Sequence, residues 1–196
     1  MTSARPRLIL GSTSPYRKQL LERLAIPFET VAPRVDESPR PGEGPAHLVA
    51  RLAEAKARAA AGQRTDGLAI GSDQVAVLGA EVLGKPGGHD EAVRQLEQAS
   101  GKTVAFYTGL CLFNAATQTV QVDVVPFRVV FRTLERGQIE RYLAREQPYD
   151  CAGSFKSEGL GIALFERLEG DDPSSLMGLP LIRLVRMLEQ EGVEVV

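Results

Sequence analysis

Several protein classes are excluded by what this chain lacks. It has no long apolar run: in the N-terminal stretch MTSARPRLIL only Leu8, Ile9 and Leu10 follow one another before polar residues return, so neither a signal peptide nor a membrane span is expected there. Cysteine is scarce. Cys111 and Cys151 stand far apart, outside any CxxC or Cys/His cluster, which argues against a thiolate zinc site and fits a reducing compartment, so the expected location is the cytoplasm. The two histidines, His47 and His89, have no metal-ligand spacing. Neither sign of charge is in excess, with 23 Lys plus Arg against 25 Asp plus Glu and a net charge of -2. There is no general basic field to hold duplex nucleic acid, and any anion site must be local. A Walker-type loop and a GxGxxG turn are also absent.

What is present suffices for a sizeable core: 196 residues, 43% of them apolar. Strand and helix patterns alternate, without a repeat of fixed period or a low-complexity segment, so the class is α/β or α+β. Leu8–Leu10 read as a buried strand that turns at once into a helix, with Ser14 as N-cap and Pro15 at the first helical position. The proline- and glycine-rich stretch 27–45 reads as a loop carrying Asp36 and Glu37. The following segment, PAHLVARLAEAKARAAAG, is an amphipathic helix, and residues 67–79 are an apolar strand interrupted by Ser72, Asp73 and Gln74. Asp90 is expected to cap a helix with Val93 and Leu96 inward. Residues 103–114 and 119–132 form a hairpin around AATQ, with Pro126 at an edge or a bulge. Two further helices bury Ile139, Tyr142 and Leu143, then Leu181, Leu184, Val185 and Leu188; between them YDCAGSFKSEGLGI has the composition of a functional loop on a rigid frame.

Five polar clusters break this ordinary pattern. Ser12, Thr13 and Ser14 place hydroxyls and free N–H groups at the positive end of a helix, with Arg17 one turn in, which suits a phosphate. Lys56 lies inside the apolar sector of its helix, where an ammonium is costly unless it meets an anion. Asp36-Glu37, Ser72-Asp73-Gln74 with Lys85, and Ser154 to Glu158 complete the set. Carboxylates mixed with cations are what phosphoanhydride cleavage requires: the former hold a divalent metal and orient water, the latter offset phosphate charge.

STSPYR at 12–17, VDE at 35–37, Lys56 in its helix, GSDQV at 71–75 and GKP at 84–86 together make the sequence similar to the Maf family of nucleoside triphosphate pyrophosphatases, over nearly the whole chain. The resemblance implies a single Maf-like domain over 1–196, an α/β fold of the Maf/ITPase-like type. In that fold an elongated mixed sheet with flanking helices forms two lobes around a deep cleft. It further implies a divalent cation (Mg, Mn or Co) and cleavage between the α- and β-phosphates. On that resemblance Asp73 is the proton acceptor; Glu37, Lys56 and Lys85 share the catalytic work; Asp73 and Glu37 hold the metal; Ser12, Ser14, Arg17 and Lys18 bind phosphate. Tyr16, Gln74 and Glu158 discriminate the base. CAGSFKSEGLGI resembles the branch acting on 7-methyl-GTP, and this agrees with elementary chemistry: N7-methylation makes the base cationic, which favours an aromatic face such as Tyr16, and a carboxylate such as Glu158 can accept both donors of the guanine edge. Tyr16 stands where a tryptophan is common in this branch and Lys18 where an arginine is. The alternatives are a dTTP/UTP pyrophosphatase of the same family and a catalytically silent nucleotide-binding regulator. The expected partner is a small-molecule nucleotide, with no duplex and no membrane; the oligomeric state stays open, a homodimer included.

Overall fold

The short apolar runs assemble into one seven-stranded mixed sheet in the computed structural model, which describes residues 6–196. The expectation that the N-terminus is neither a signal peptide nor a membrane span rests partly on residues 1–5, outside the described residues. The strands are β1 (Leu8–Gly11), β2 (Phe28–Val31), β3 (Leu68–Leu78), β4 (Glu81–Leu83), β5 (Thr103–Asn114), β6 (Val120–Phe131) and β7 (Phe165–Glu169), in the order β2-β1-β3-β5-β6-β7 with β4 paired to β3. Every residue of β1 is buried because parallel neighbours flank it on both sides, β2 and β3, and helices cover its faces. From β3 onward the pairings are antiparallel. The β5–β6 connection closes because the Asn114 side chain accepts from the N–H groups of Ala116 and Thr117.

The helices are α1 (Pro15–Glu22), α2 (Pro45–Ala61), α3 (His89–Ala99), α4 (Arg136–Glu146), α5 (Pro173–Leu176) and α6 (Leu181–Gln190). An alanine-rich face lets α2 pack closely on one side of the sheet, over Ile9, Ala69, Cys111 and Phe113. The opposite face, with Leu8, Leu10, Ile70, Leu110 and Leu112, is covered by Leu20 and Leu21 of α1 and by Leu184, Met187 and Leu188 of α6. A separate core gathers α3, α4 and the aromatic residues Phe106, Phe127, Phe131, Phe155 and Phe165. The approach of α2 depends on glycines in three neighbouring strands. A Cβ on Gly71 would collide with the Ala53 carbonyl and the Ala57 N–H, one on Gly109 with the Val49 carbonyl, and one on Gly11 would come 2.8 Å from the Lys56 carbonyl.

Four expectations are corrected or sharpened. Residues 27–45 are not loop throughout, since Phe28–Val31 add the edge strand β2 in the short space between Pro27 and Pro33. Asp90 lies inside the first turn of α3, and Gly88 is the N-cap. In α6 Met187 is buried whereas Val185 is half-buried, because the apolar stripe is one residue wider than Leu181, Leu184 and Leu188 define. Pro126 marks an edge rather than a bulge: β7 pairs β6 only from Arg128 onward, and the register shift falls at Val130/Phe131. That uncovered edge is blunted by the missing Pro126 N–H and by Asp123, whose Oδ1 accepts the Val124 N–H at 2.8 Å.

Candidate functional site

Strand β1 stops because its backbone turns on itself. The Ser12 N–H bonds back to the Leu10 carbonyl at 3.0 Å, and Ser12 Oγ accepts the Ser14 N–H at 3.1 Å. Ser14 is the N-cap of α1, with Oγ accepting the Arg17 N–H at 3.4 Å and Pro15 following it. Arg17 is thereby aimed across the turn. Its Nε donates to the Gly178 carbonyl at 2.8 Å, which leaves the terminal amino groups of the fork for another acceptor. Burial lowers the pKa of this guanidinium from its ordinary value, while the nearby Asp73 and Glu37 act to raise it.

Lys56 is the residue that the helical pattern marks as out of place, and it is 6% exposed. Its Nζ donates to Asp73 Oδ1 on β3 at 2.6 Å and lies 2.8 Å from Glu37 Oε1. The close seating of α2 on the glycines brings the ammonium to the strand; Arg51, bonded to both Glu43 oxygens and to the Ser38 carbonyl, holds the 36–43 loop so that Glu37 meets it. Arg51 also holds the Glu43 carboxyl down to about 2. Asp36, beside Glu37, is a turn former whose Oδ1 accepts the Ser38 N–H.

The segment 172–178 completes this wall. Ser72 Oγ lies 2.8 Å from the carbonyls of both Gly109 and Gly178. Gln74 Nε2 donates to Thr108 Oγ1 and the Ser175 carbonyl at 2.8 Å and to the Leu176 carbonyl at 3.2 Å. Buried Asp172 organises the segment from below, accepting from the N–H and hydroxyl of Ser174 and from the Ile182 N–H. The pattern D-P-S-S is an N-cap followed by proline, a signal the sequence carried at 172–175 without its role being legible.

A second polar group faces the same space. The Tyr16 phenol is pushed up to about 12, chiefly by burial, with Cys151, Asp150 and Glu158 acting in the same direction. Cys151 is likewise raised to about 12 by burial and by Asp150. Glu158 itself is exposed, with Ser157 Oγ at 3.2 Å from its Oε2.

These residues line one pocket of about 570 Å³, a volume within the ordinary range for small-molecule sites. Ser12, Ser14, Tyr16, Arg17, Glu37, Lys56, Asp73, Gln74, Lys85 and Glu158 all contribute to its wall. Lys85 reaches it from the turn between β4 and α3, exposed and without a carboxylate in ion-pair distance among the described residues. Lys18 does not line it; it points away, 3.8 Å from Glu22 on the exposed side of α1. Asp150, Cys151, Met177 and Gly178 also belong to the wall, beyond the residues expected there. Asp150 and Cys151 come from the 149–162 loop, whose composition marks it as functional, whereas Met177 and Gly178 come from the turn after α5 and carry no local pattern.

Comparison with known proteins places the chain in a family. Residues 7–191 match the family described as Maf-like protein. The chain is 59% identical over 192 residues to the 7-methyl-GTP pyrophosphatase of Nitrosococcus oceani, covering 98% of this chain and 96% of that one. It is 56% identical over 191 residues to the protein of the same name from Methylobacillus flagellatus, covering 97% and 100%. It is also 56% identical over 190 residues to the one from Pseudomonas aeruginosa, covering 97% and 99%.

Proposed function

The chain belongs to the Maf family, and on that premise we propose that it is a nucleotide pyrophosphatase that converts 7-methyl-GTP to 7-methyl-GMP and pyrophosphate. The single observation that carries this reading is that one pocket holds both a carboxylate–cation group (Asp73, Glu37, Lys56, Arg17) and an aromatic–carboxylate pair (Tyr16, Glu158). The names of the relatives support the choice of base.

In this reading Asp73 accepts the proton of the attacking water as the bond between the α- and β-phosphates breaks, and pyrophosphate leaves. Lys56 orients the Asp73 carboxylate through its 2.6 Å bond and offsets phosphate charge, together with Arg17 and Lys85. Ser12 and Ser14 shape the turn at the start of α1 against which phosphate oxygens rest. Tyr16 stacks on the cationic base and Glu158 accepts from the guanine edge. Gln74 acts through its oxygen, since its amide nitrogen is committed to Thr108 and two carbonyls.

The donor set fits a hard divalent cation. Asp73 and Glu37 supply two hard carboxylates to one wall of the pocket, where both also contact Lys56. That suits an ion such as Mg²⁺, Mn²⁺ or Co²⁺ held by one or two carboxylates and completed by water and substrate phosphates. Bound there it would supply Lewis-acid polarisation of the phosphoryl oxygens. The two free thiols and the nucleotide substrate suit a reducing cytoplasm.

The test is pyrophosphate release from 7-methyl-GTP, GTP, UTP and dTTP with each of the three metals. Preference for 7-methyl-GTP supports the proposal. Preference for UTP or dTTP overturns the base assignment, and no release from any nucleotide overturns the activity.

A further inference from the structure

Gln95 has no part in the chemistry proposed above, yet it is 3% exposed and its amide is bonded at both ends to segments that line the pocket. From α3, its Nε2 donates to the Gly84 carbonyl at 3.2 Å and to Glu91 Oε1 at 3.3 Å. Gly84 immediately precedes Lys85. The Gln95 Oε1 accepts from Ser154 Oγ at 2.6 Å, and Ser154 is wholly buried. Gly153 and Ser154 adopt φ of +75° and +63°, two successive left-handed residues, the second in a region that side chains other than glycine seldom occupy. Asp150 and Cys151 before this double turn and Phe155 and Glu158 after it all line the pocket. Phe155 is then locked edge-to-face against Phe106, Phe131 and Phe165, with centroids 5.4, 5.6 and 4.9 Å away.

A second tether runs parallel to the first. The Gly87 N–H donates to the Tyr149 carbonyl at 2.9 Å, and His89 lies 3.1 Å from the Tyr149 hydroxyl through Nδ1 and 2.7 Å from Glu140 through Nε2. The 149–158 loop is therefore pinned at its start and at its middle to the 84–89 turn and to α3. Beyond those pins lies Glu158, one of the residues assigned to the base, while the turn carries Lys85, the lysine assigned to phosphate.

We infer that Gln95 is a positioning residue: by bonding Gly84 and Ser154 at once, it sets the separation between Lys85 and the Glu158 wall, and so the fit of the pocket to one base. This rests on the nucleotide reading only for its consequence on base choice. The buried amide suits the role because each of its two ends has a different partner, so no other side chain of that size satisfies both.

Two readouts test it on the full chain, in Ser154→Ala and Gln95→Leu. The first is amide hydrogen exchange and needs no ligand. Ser154→Ala is expected to speed exchange in 150–158 by about tenfold or more and leave the Gly87 amide of the 84–89 turn, bonded to the Tyr149 carbonyl, at its wild-type rate, whereas Gln95→Leu speeds both segments while β5 stays protected. Wild-type exchange of either segment in Gln95→Leu overturns the inference. Should Gln95→Leu fail to fold, Ser154→Ala decides alone, with unchanged 150–158 exchange overturning it. The second readout is discrimination between 7-methyl-GTP and UTP, expected to narrow by about tenfold or more in Ser154→Ala while UTP turnover stays within about twofold of wild type. Unchanged discrimination in variants with faster exchange overturns the role in base choice. Absence of hydrolysis in the wild type would instead sink the nucleotide reading, and exchange alone would then judge the tether.

Discussion

Lys56 Nζ and Asp73 Oδ1 lie 2.6 Å apart in a buried setting, and this bond joins α2 to the middle of β3 at the floor of the pocket. Breaking it from either side has separable effects. Lys56→Met leaves Asp73 without its partner and is expected to lower stability by about 1–3 kcal/mol. Asp73→Asn keeps the shape but cannot take a proton, and turnover should fall about 10²- to 10⁴-fold with the fold retained. In the double variant the two stability losses should fail to add by about 0.5 kcal/mol or more, because the unpaired carboxylate is gone. Urea denaturation of the four proteins, with pyrophosphate release measured on each, checks all three statements; additive losses would separate the two residues.

The glycines beneath α2 act on the site from a distance. Gly109→Ala forces a methyl into the Val49 carbonyl and should destabilise by about 1–3 kcal/mol or more. Turnover should drop further than the folded fraction does, since α2 carries Lys56 and must lift from the sheet. Gly44→Ala, where nothing lies within 4 Å of the added carbon, is the control and should lose only about 0.5–1 kcal/mol, the cost of alanine at the N-cap of α2, with turnover tracking the folded fraction. Thermal melts read alongside kcat distinguish the two.

Base choice should follow Glu158 and Tyr16. Glu158→Gln presents a donor where two acceptors are needed, a mismatch of about 1–3 kcal/mol, so efficiency on 7-methyl-GTP should fall about 10- to 100-fold and UTP hydrolysis less. Tyr16→Ala removes the stacking face and should also hurt the cationic base most. Equal proportional losses across 7-methyl-GTP, GTP, UTP and dTTP would show that neither residue reads the base.

Alkaline stability is set by buried acids that keep their protons in the fold. The thiols of Cys111 and Cys151 rise from 9.0 to about 12 and the Tyr16 phenol from 10.0 to about 12, in each case chiefly through burial; Tyr142 moves the same way for the same reason. Above pH 9.0 the unfolded chain therefore releases protons that the native protein still holds. The share of stability carried by these groups should be level below that pH and be lost as pH rises toward about 12. Removing one such group in Cys111→Ala should flatten the fall by up to about 1.4 kcal/mol per pH unit. Denaturant titrations between these limits measure the slope, and an identical slope in the variant would remove Cys111 from the account.

Much of this protein was determined locally and so is legible in its sequence. The strand-to-helix turn at Ser14-Pro15 follows from capping and a fixed proline φ, the hairpin around AATQ from β-rich runs meeting a short polar link, and the anomaly of Lys56 from helical periodicity. Each of these depends on residues within one or two turns of one another. Tertiary structure alone decided the rest, because contacts between segments distant in sequence leave no local period. That α2 rests on Gly11, Gly71 and Gly109 is a property of three strands side by side; that Arg17 and Ser72 share the Gly178 carbonyl spans most of the chain. Lys18 shows the limit from the other direction: one residue beyond Arg17, it is turned by the 100° step of the helix out of the pocket toward Glu22. Periodicity states which residues share a face, but only packing decides what that face meets.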